Sequence, residues 1–186
     1  DRGDFDGALR SFRRALELQP DFAAASNNLG LLLQDEGRTD EAIELYRRAL
    51  AVDPRGARAS YNLGLALLSR FEFAEGWAAV ETRYDTIPPV TVRRAFTVPR
   101  FEPGDFGAGH RVAVWREQGV GDQILYATLL PELEARGQDF VAEVDRRLVP
   151  AFVRAHPGWK VTAPEDSAAP FARCARHIPF GSLPGL

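Results

Sequence analysis

The chain contains no methionine, one cysteine and one lysine in 186 residues. The single thiol, Cys174, excludes an intrachain disulfide framework and a thiolate cluster for zinc. It is compatible with a reducing compartment, and the expected location is cytoplasmic. No uninterrupted apolar run reaches the roughly 18 residues of a membrane-spanning helix. No basic stretch leading into an apolar segment marks a secretory signal. All but Lys160 of the 23 basic residues are arginine, and the net charge of −3 excludes the usual basic footprint of a nucleic-acid binder. Divided at Pro88, the sequence carries −4 before and +1 after, so neither part has a field strong enough to steer a partner. His110, His156 and His177 have no metal-ligand spacing, so no metal is expected. Without methionine and beginning at Asp1, the sequence reads as an internal segment of a longer protein.

Self-similarity organises the front part. Pro20, Pro54 and Pro88 recur every 34 residues, as do Ala8, Ala42 and Gly76, and Phe12, Tyr46 and Val80. Asn28-Leu29-Gly30 returns at the same interval as Asn62-Leu63-Gly64. Within each unit, apolar residues fall at helical spacing over 23–34, 40–52 and 57–70. Gly37 ends the first of these helices, Thr39 is the expected N-cap of the second, and Asp53-Pro54 stops it. The small residues Gly30, Ala42, Gly64 and Gly76 suit places where one helix crosses another closely. Leu29, Tyr46, Leu63 and Trp77 fill the space between. Such a pair cannot bury its apolar face alone and must stack on neighbours.

This pattern resembles the tetratricopeptide repeat family over residues 1–88. Leu29-Gly30, Ala42, Tyr46, Ala49 and Pro54 fall on its signature positions in one unit, and Leu63-Gly64, Gly76 and Pro88 in the next. Val80 and Arg83 depart, which implies a last unit adapted to a different neighbour. Residues 1–20 supply only the second helix of a preceding repeat. In relatives that bind extended peptides, asparagines at the phase of Asn28 and Asn62 form a ladder to the ligand backbone. The resemblance therefore implies a protein or peptide partner. The residues leave a second reading open, in which each amide is solvated or bonds an adjacent helix.

From 89 to 110, prolines and glycines without sustained periodicity predict an extended linker, with a short strand as an option near 94–98. Arg93, Arg94 and Arg100 are expected to be solvated, to pair with carboxylates of the repeats, or to meet an anionic group. Residues 111–186 alternate differently. Strands are predicted over 111–116, 139–145, 158–162 and 175–180, with helices over 123–136, divided or kinked at Pro131, and 148–156. The expected fold class is α plus α/β: helical hairpins, then a partial Rossmann-like parallel sheet with helices.

The first strand-to-helix turn, Gln118-Gly119-Val120-Gly121-Asp122, lies where open parallel sheets bind ligands. Gly119 and Gly121 would admit close approach, and a helix start offers unpaired N–H groups. Asp122 has two readings, a carboxylate facing the crevice or an N-cap bonding its own helix. A dinucleotide fingerprint fails at Ile124, although Asp145 stands where a ribose-binding acid belongs, and the Gly-Lys-Ser/Thr of a P-loop is absent.

The run Val114-Trp-Arg-Glu-Gln-Gly-Val-Gly-Asp-Gln-Ile-Leu-Tyr126 with Leu130-Pro131 resembles a bacterial family that joins tetratricopeptide repeats to a glycosyltransferase-like domain. It is also similar to the heptosyltransferases of lipopolysaccharide assembly. His177-Ile-Pro-Phe-Gly-Ser-Leu-Pro184 resembles a second block of the repeat-bearing family. The resemblance implies one half of a glycosyltransferase-B architecture, with a nucleotide sugar as co-substrate and no other cofactor. Asp122 would be the general base on a sugar acceptor, and Gln118, Gly119, Gly121 and His177 would contact substrate. Glu117 and Ser182 are weaker candidates, and Cys174 has no neighbouring base in sequence. The rival reading is a non-catalytic interaction scaffold built on the repeats. A nucleotide-binding oxidoreductase is a more distant third.

Overall fold

The computed structural model describes residues 2–186, with side chains from Phe5 onward. The chain divides after Val90 into two compact units.

The first unit is a run of tetratricopeptide-like helical hairpins. Helix α1 (Arg2–Leu18) is followed by the pairs α2 (Ala23–Asp35) with α3 (Thr39–Val52) and α4 (Ala57–Ser69) with α5 (Phe73–Val80). Leu29, Leu33, Ala42, Ile43, Tyr46, Leu63, Ala66 and Leu67 form one continuous core through the stacked pairs. The repeated glycines sit at the crossings. A Cβ on Gly30 would come within 2.8 Å of the Tyr46 ring, and one on Gly64 within 2.8 Å of both Val80 Cγ2 and the Val80 backbone nitrogen. A methyl group there would push two helices apart, which explains why these positions are small.

Gly37, at φ 79°, ends α2 in the left-handed region that glycine adopts without cost. Thr39 is not the N-cap of α3. It is the first helical residue, the cap position belongs to Arg38, and no side chain bonds the free amides there. Arg38 instead grips Glu41 with two bonds of 2.6 Å on the exposed surface. The departing last unit has a physical basis as well. Helix α5 is only 8 residues long and passes into a 3-10 turn over Glu81–Tyr84. That turn buries Arg83 completely. Its guanidinium donates to Glu81 Oε1 (3.1 Å), to Tyr84 Oη (3.0 Å) and to the Val80 carbonyl (3.4 Å), and lies over the Tyr84 ring. A satisfied cation thus stands where an apolar residue would be expected to face a next repeat.

The second unit is a four-stranded parallel sheet. Its elements are β1 (Val112–Trp115), α6 (Val120–Ala127), α7 (Leu130–Ala135), β2 (Phe140–Glu143), α8 (Val149–Ala155), β3 (Lys160–Thr162), α9 (Ala168–Phe171) and β4 (Arg176–Pro179). The strand order is β3-β2-β1-β4, with Val112 opposite both Phe140 and Arg176, and Val141 opposite Lys160. Pro131 does divide the predicted long helix, into α6 and α7. Every residue of β1 and β2 is buried, as expected of parallel strands covered on both faces.

Alternation sorts the two faces. Val112, Val114, Phe140, Ala142 and Ile178 pack with Ala127, Leu130, Leu133 and Trp159 in one core under the helices. The alternate residues, Trp115, Glu143 and His177 among them, point to the other face. Residues 91–101, expected as an extended linker, supply part of its cover. Phe96 stacks on His177 with ring centroids 4.1 Å apart, and the Phe101 amide donates to the His177 carbonyl. Arg100 forms a parallel bridge with His177, so this segment borders the β4 edge. Arg94 meets a carboxylate of its own unit. Its Nη1 donates to Glu143 Oε2 at 2.7 Å, where the Glu143 side chain is 2% exposed, and its guanidinium lies over Phe96 and Phe171.

Glu143 is buried at the end of β2, so removing its partner leaves a buried carboxylate without its cation. Arg94→Ala is expected to lower stability by about 3 kcal/mol in denaturant unfolding of the whole chain. Adding Glu143→Leu is expected to restore part of that loss. Equal unfolding midpoints for wild type and Arg94→Ala would contradict the assignment.

Candidate functional site

Two surfaces carry the residues singled out from sequence, one in each unit. In the repeats, α2 and α4 are the first helices of successive pairs and lie side by side through the core described above. Asn28 is exposed, whereas its neighbour Asn27 is buried and Asn62 half-buried. The three amides are linked. Asn62 Nδ2 donates to Asn27 Oδ1 at 3.0 Å, and Asn27 Nδ2 donates to Asn28 Oδ1 at 3.2 Å. The chain of bonds leaves the Asn28 amide hydrogens and the Asn62 carbonyl oxygen at its two ends, a donor and an acceptor. Leu31 and Leu65, 34 residues apart, follow the asparagines by one helical step and remain 44% and 40% exposed. Asn27 was missed in the sequence because its counterpart one period on is Tyr61, so nothing repeats.

In the sheet unit, the turn after β1 leads into α6 with Gly119 as N-cap, and Asp122 is the third helical residue. Asp122 is half-buried and is not the N-cap. Among the described residues, no hydrogen bond or ion pair holds its carboxylate. The glycines of the turn are not required by this chain's own geometry. Gly119 has φ −62°, a Cβ there would only reach ordinary contact with Asp122 Oδ2 at 3.5 Å, and one on Gly121 would meet nothing within 4 Å. This differs from the crossing glycines of the repeats, where the space is filled.

The surrounding loops are tied together by buried amides and carboxylates. Gln123, 1% exposed, donates from Nε2 to the Gln118 carbonyl at 2.9 Å and accepts the Asp145 amide at 2.7 Å. It thereby fastens the end of β1 to the end of β2. Glu117 Oε1 accepts the Gly181 amide at 3.0 Å and its carbonyl accepts the Thr91 hydroxyl, fastening β1 to the chain beyond β4. Gln118 is half-buried at the rim, and Ser182 is buried. Asp145 is engaged by the Arg147 side chain and amide, which hold its carboxyl down at about 2. Cys174 is buried, and burial pushes its thiol up, away from a reactive thiolate. Among the described residues no group of His, Cys, Asp and Glu is arranged to hold a metal ion.

His177 lies apart from the turn. It pairs opposite Ala113, whereas the strand end, Pro179, pairs opposite Trp115. Its ring lies under Phe96, and its Nδ1 accepts the Trp115 indole N–H at 3.2 Å. Burial, aided by the charge of Arg100, lowers its pKa and favours the neutral ring that can accept this bond.

The family model of the tetratricopeptide repeat matches residues 1–51, and a second model, described as TPR repeat, matches residues 34–69. The front unit carries tetratricopeptide repeats. Protein FlbA of Caulobacter vibrioides is 33% identical over 169 residues, which is 87% of this chain and 28% of FlbA. So long a match necessarily includes parts of both units, while the chain spans little more than a quarter of that relative's length. A crystal structure of MamA is similar to 45% of this chain at 30% identity, with a TM-score of 0.41, the match covering 49% of the MamA chain. MamA from residue 41 to its end, of Desulfovibrio magneticus RS-1, gives 0.40 over 46% of this chain and 49% of its own. Among the described residues, no helix is long and apolar enough to cross a membrane.

The lowered pKa of His177 has a consequence of definite sign. Between the folded and unfolded values the unfolded chain binds a proton that the folded chain refuses, so stability falls as pH drops below about 6.5. His177→Gln is expected to flatten the decline in melting temperature between about pH 7.5 and about pH 5.5. Parallel pH profiles for the two proteins would contradict this.

Proposed function

We propose that the chain is a protein-interaction part of a larger protein, its repeats receiving a partner polypeptide in extended form across α2 and α4. The observation that carries this reading is the amide chain Asn28–Asn27–Asn62 bordered by exposed Leu31 and Leu65. An extended backbone presents one donor and one acceptor per residue, and the terminal groups of the amide chain match them. The leucines offer apolar ground for alternate side chains of the same segment. The bond from Asn62 to the neighbouring helix does not compete with this role, since it leaves the Asn62 carbonyl oxygen available.

The test uses peptides selected from a random display library against the whole 186-residue chain. Asn28→Ala combined with Asn62→Ala is expected to weaken a selected peptide at least about tenfold, for two lost hydrogen bonds. Unchanged affinity would overturn the reading.

A second reading is favoured by one specific observation, the unbonded Asp122 carboxylate beside two glycines that the chain's own packing does not require. In this reading the sheet unit is the acceptor side of a sugar-transfer site. Gly119 and Gly121 leave room for an acceptor sugar, Gln118 binds it from the rim, and Asp122 takes the proton from the attacking hydroxyl. The nucleotide sugar would be held by parts of the longer protein outside this chain, and residues 1–186 would be inactive by themselves. His177 has no place in the reaction on this reading, because its ring is engaged under Phe96 and by Trp115. In the full-length protein Asp122→Asn is expected to reduce sugar transfer by about a hundredfold or more without lowering the melting temperature. Full turnover by this variant would remove the catalytic reading and leave the interaction role standing.

A further inference from the structure

The sheet unit has a second concave feature, toward the end at which its strands begin. A cavity of about 470 Å³ opens on the sheet face beside α9, lined by Arg111, Lys160, Arg173 and Thr162 with Val141, Ala169 and Pro170 as apolar walls. Its size falls within the range of small-molecule sites.

The charges around it are unbalanced. Asp139, just before β2, sits between Arg111 Nε at 2.6 Å and Lys160 Nζ at 2.9 Å, so one carboxylate serves two cations drawn from either side of it in the sheet. Although burial opposes ionisation, these two partners hold its carboxyl below the ordinary range, which keeps the carboxylate charged. Arg173, following α9, is exposed and has no partner among the described residues. Three cations against one carboxylate leave an excess of two positive charges on the cavity. The walls between them are hydrocarbon, from Val141, Ala169 and Pro170.

We infer that this cavity binds a phosphomonoester, its dianionic head between Arg173, Lys160 and Arg111 and its organic body against Val141, Ala169 and Pro170. The head matches the excess charge, and arginine presents paired N–H groups to phosphate oxygens. A bare phosphate would leave the apolar walls wet, so an ester with an organic body fills the space better. The site is distinct from the turn at Asp122, which follows the opposite end of β1.

The probes are adenosine monophosphate and phenyl phosphate, with adenosine and inorganic phosphate as controls, titrated calorimetrically into the whole chain at low salt. At least one ester is expected to bind saturably, at least about tenfold more tightly than inorganic phosphate or adenosine. Arg173→Glu removes the excess charge at an exposed residue whose side chain has no polar partner among the described residues, and is expected to weaken that ester about tenfold or more with an unchanged melting temperature. Arg173→Gln should fall between wild type and Arg173→Glu. Absence of saturable binding, equal affinity for inorganic phosphate, or full affinity in Arg173→Glu would each overturn the proposal.

Discussion

The close crossing of paired helices is the constraint on which the rest of the front unit depends. An amphipathic hairpin buries its stripe only by stacking, and stacking at this distance requires that nothing project from Gly30 toward Tyr46 or from Gly64 toward Val80. Tyr46, fully buried, then closes the gap and donates its hydroxyl to Gln34 Oε1 at 2.9 Å. With the helices held in this register, residues 34 apart in sequence become neighbours on one face. That is how Asn62 reaches Asn27, and why Leu31 and Leu65 lie at equivalent exposed positions. The putting together of a peptide-sized polar and apolar strip follows from core packing on the other side of the same helices.

The sheet unit solves a different problem. A parallel sheet must be covered on both faces, and here α6, α7 and α8 accompany one hydrophobic face while residues 91–101 and α9 contribute to the other. The second cover is partly polar. Arg94 on Glu143, and the Trp115 indole on neutral His177, satisfy groups that would otherwise be buried without partners. Gln123 and Glu117 do the same for the loops that follow β1. Polar groups fasten these loops and leave Asp122 unbonded beside them, which makes that carboxylate the notable exception in the turn.

Periodicity made the repeats legible. A 34-residue spacing of prolines, glycines and asparagines needs no knowledge of contacts, and the strands of the second unit were visible as short β-branched runs. What was not legible depended on distant partners or on local competition. Arg94 meets a glutamate 49 positions away, and no charge pattern near it singles out Glu143. The proline-rich segment lacks sustained alternation; a short strand was expected near 94–98, whereas the bridge to β4 falls two residues later, at Arg100. Thr39 has the chemistry of a cap, yet α3 begins one residue earlier than that role allows. At Asp122 the sequence left base and cap equally open; the helix start assigns the cap to Gly119. The glycines at 119 and 121 were conspicuous as residues, while the fact that nothing in the chain occupies their space appears only in three dimensions.

The central claim is that the face shared by α2 and α4 receives an extended polypeptide through Asn28 and Asn62. A crystal structure of the whole chain with a selected peptide tests it most directly. Peptide backbone is expected across α2 and α4, with the Asn28 amide donating to a peptide carbonyl and the Asn62 carbonyl accepting a peptide N–H. A peptide seated elsewhere, or one lying on this face with both amides turned to water, would contradict it.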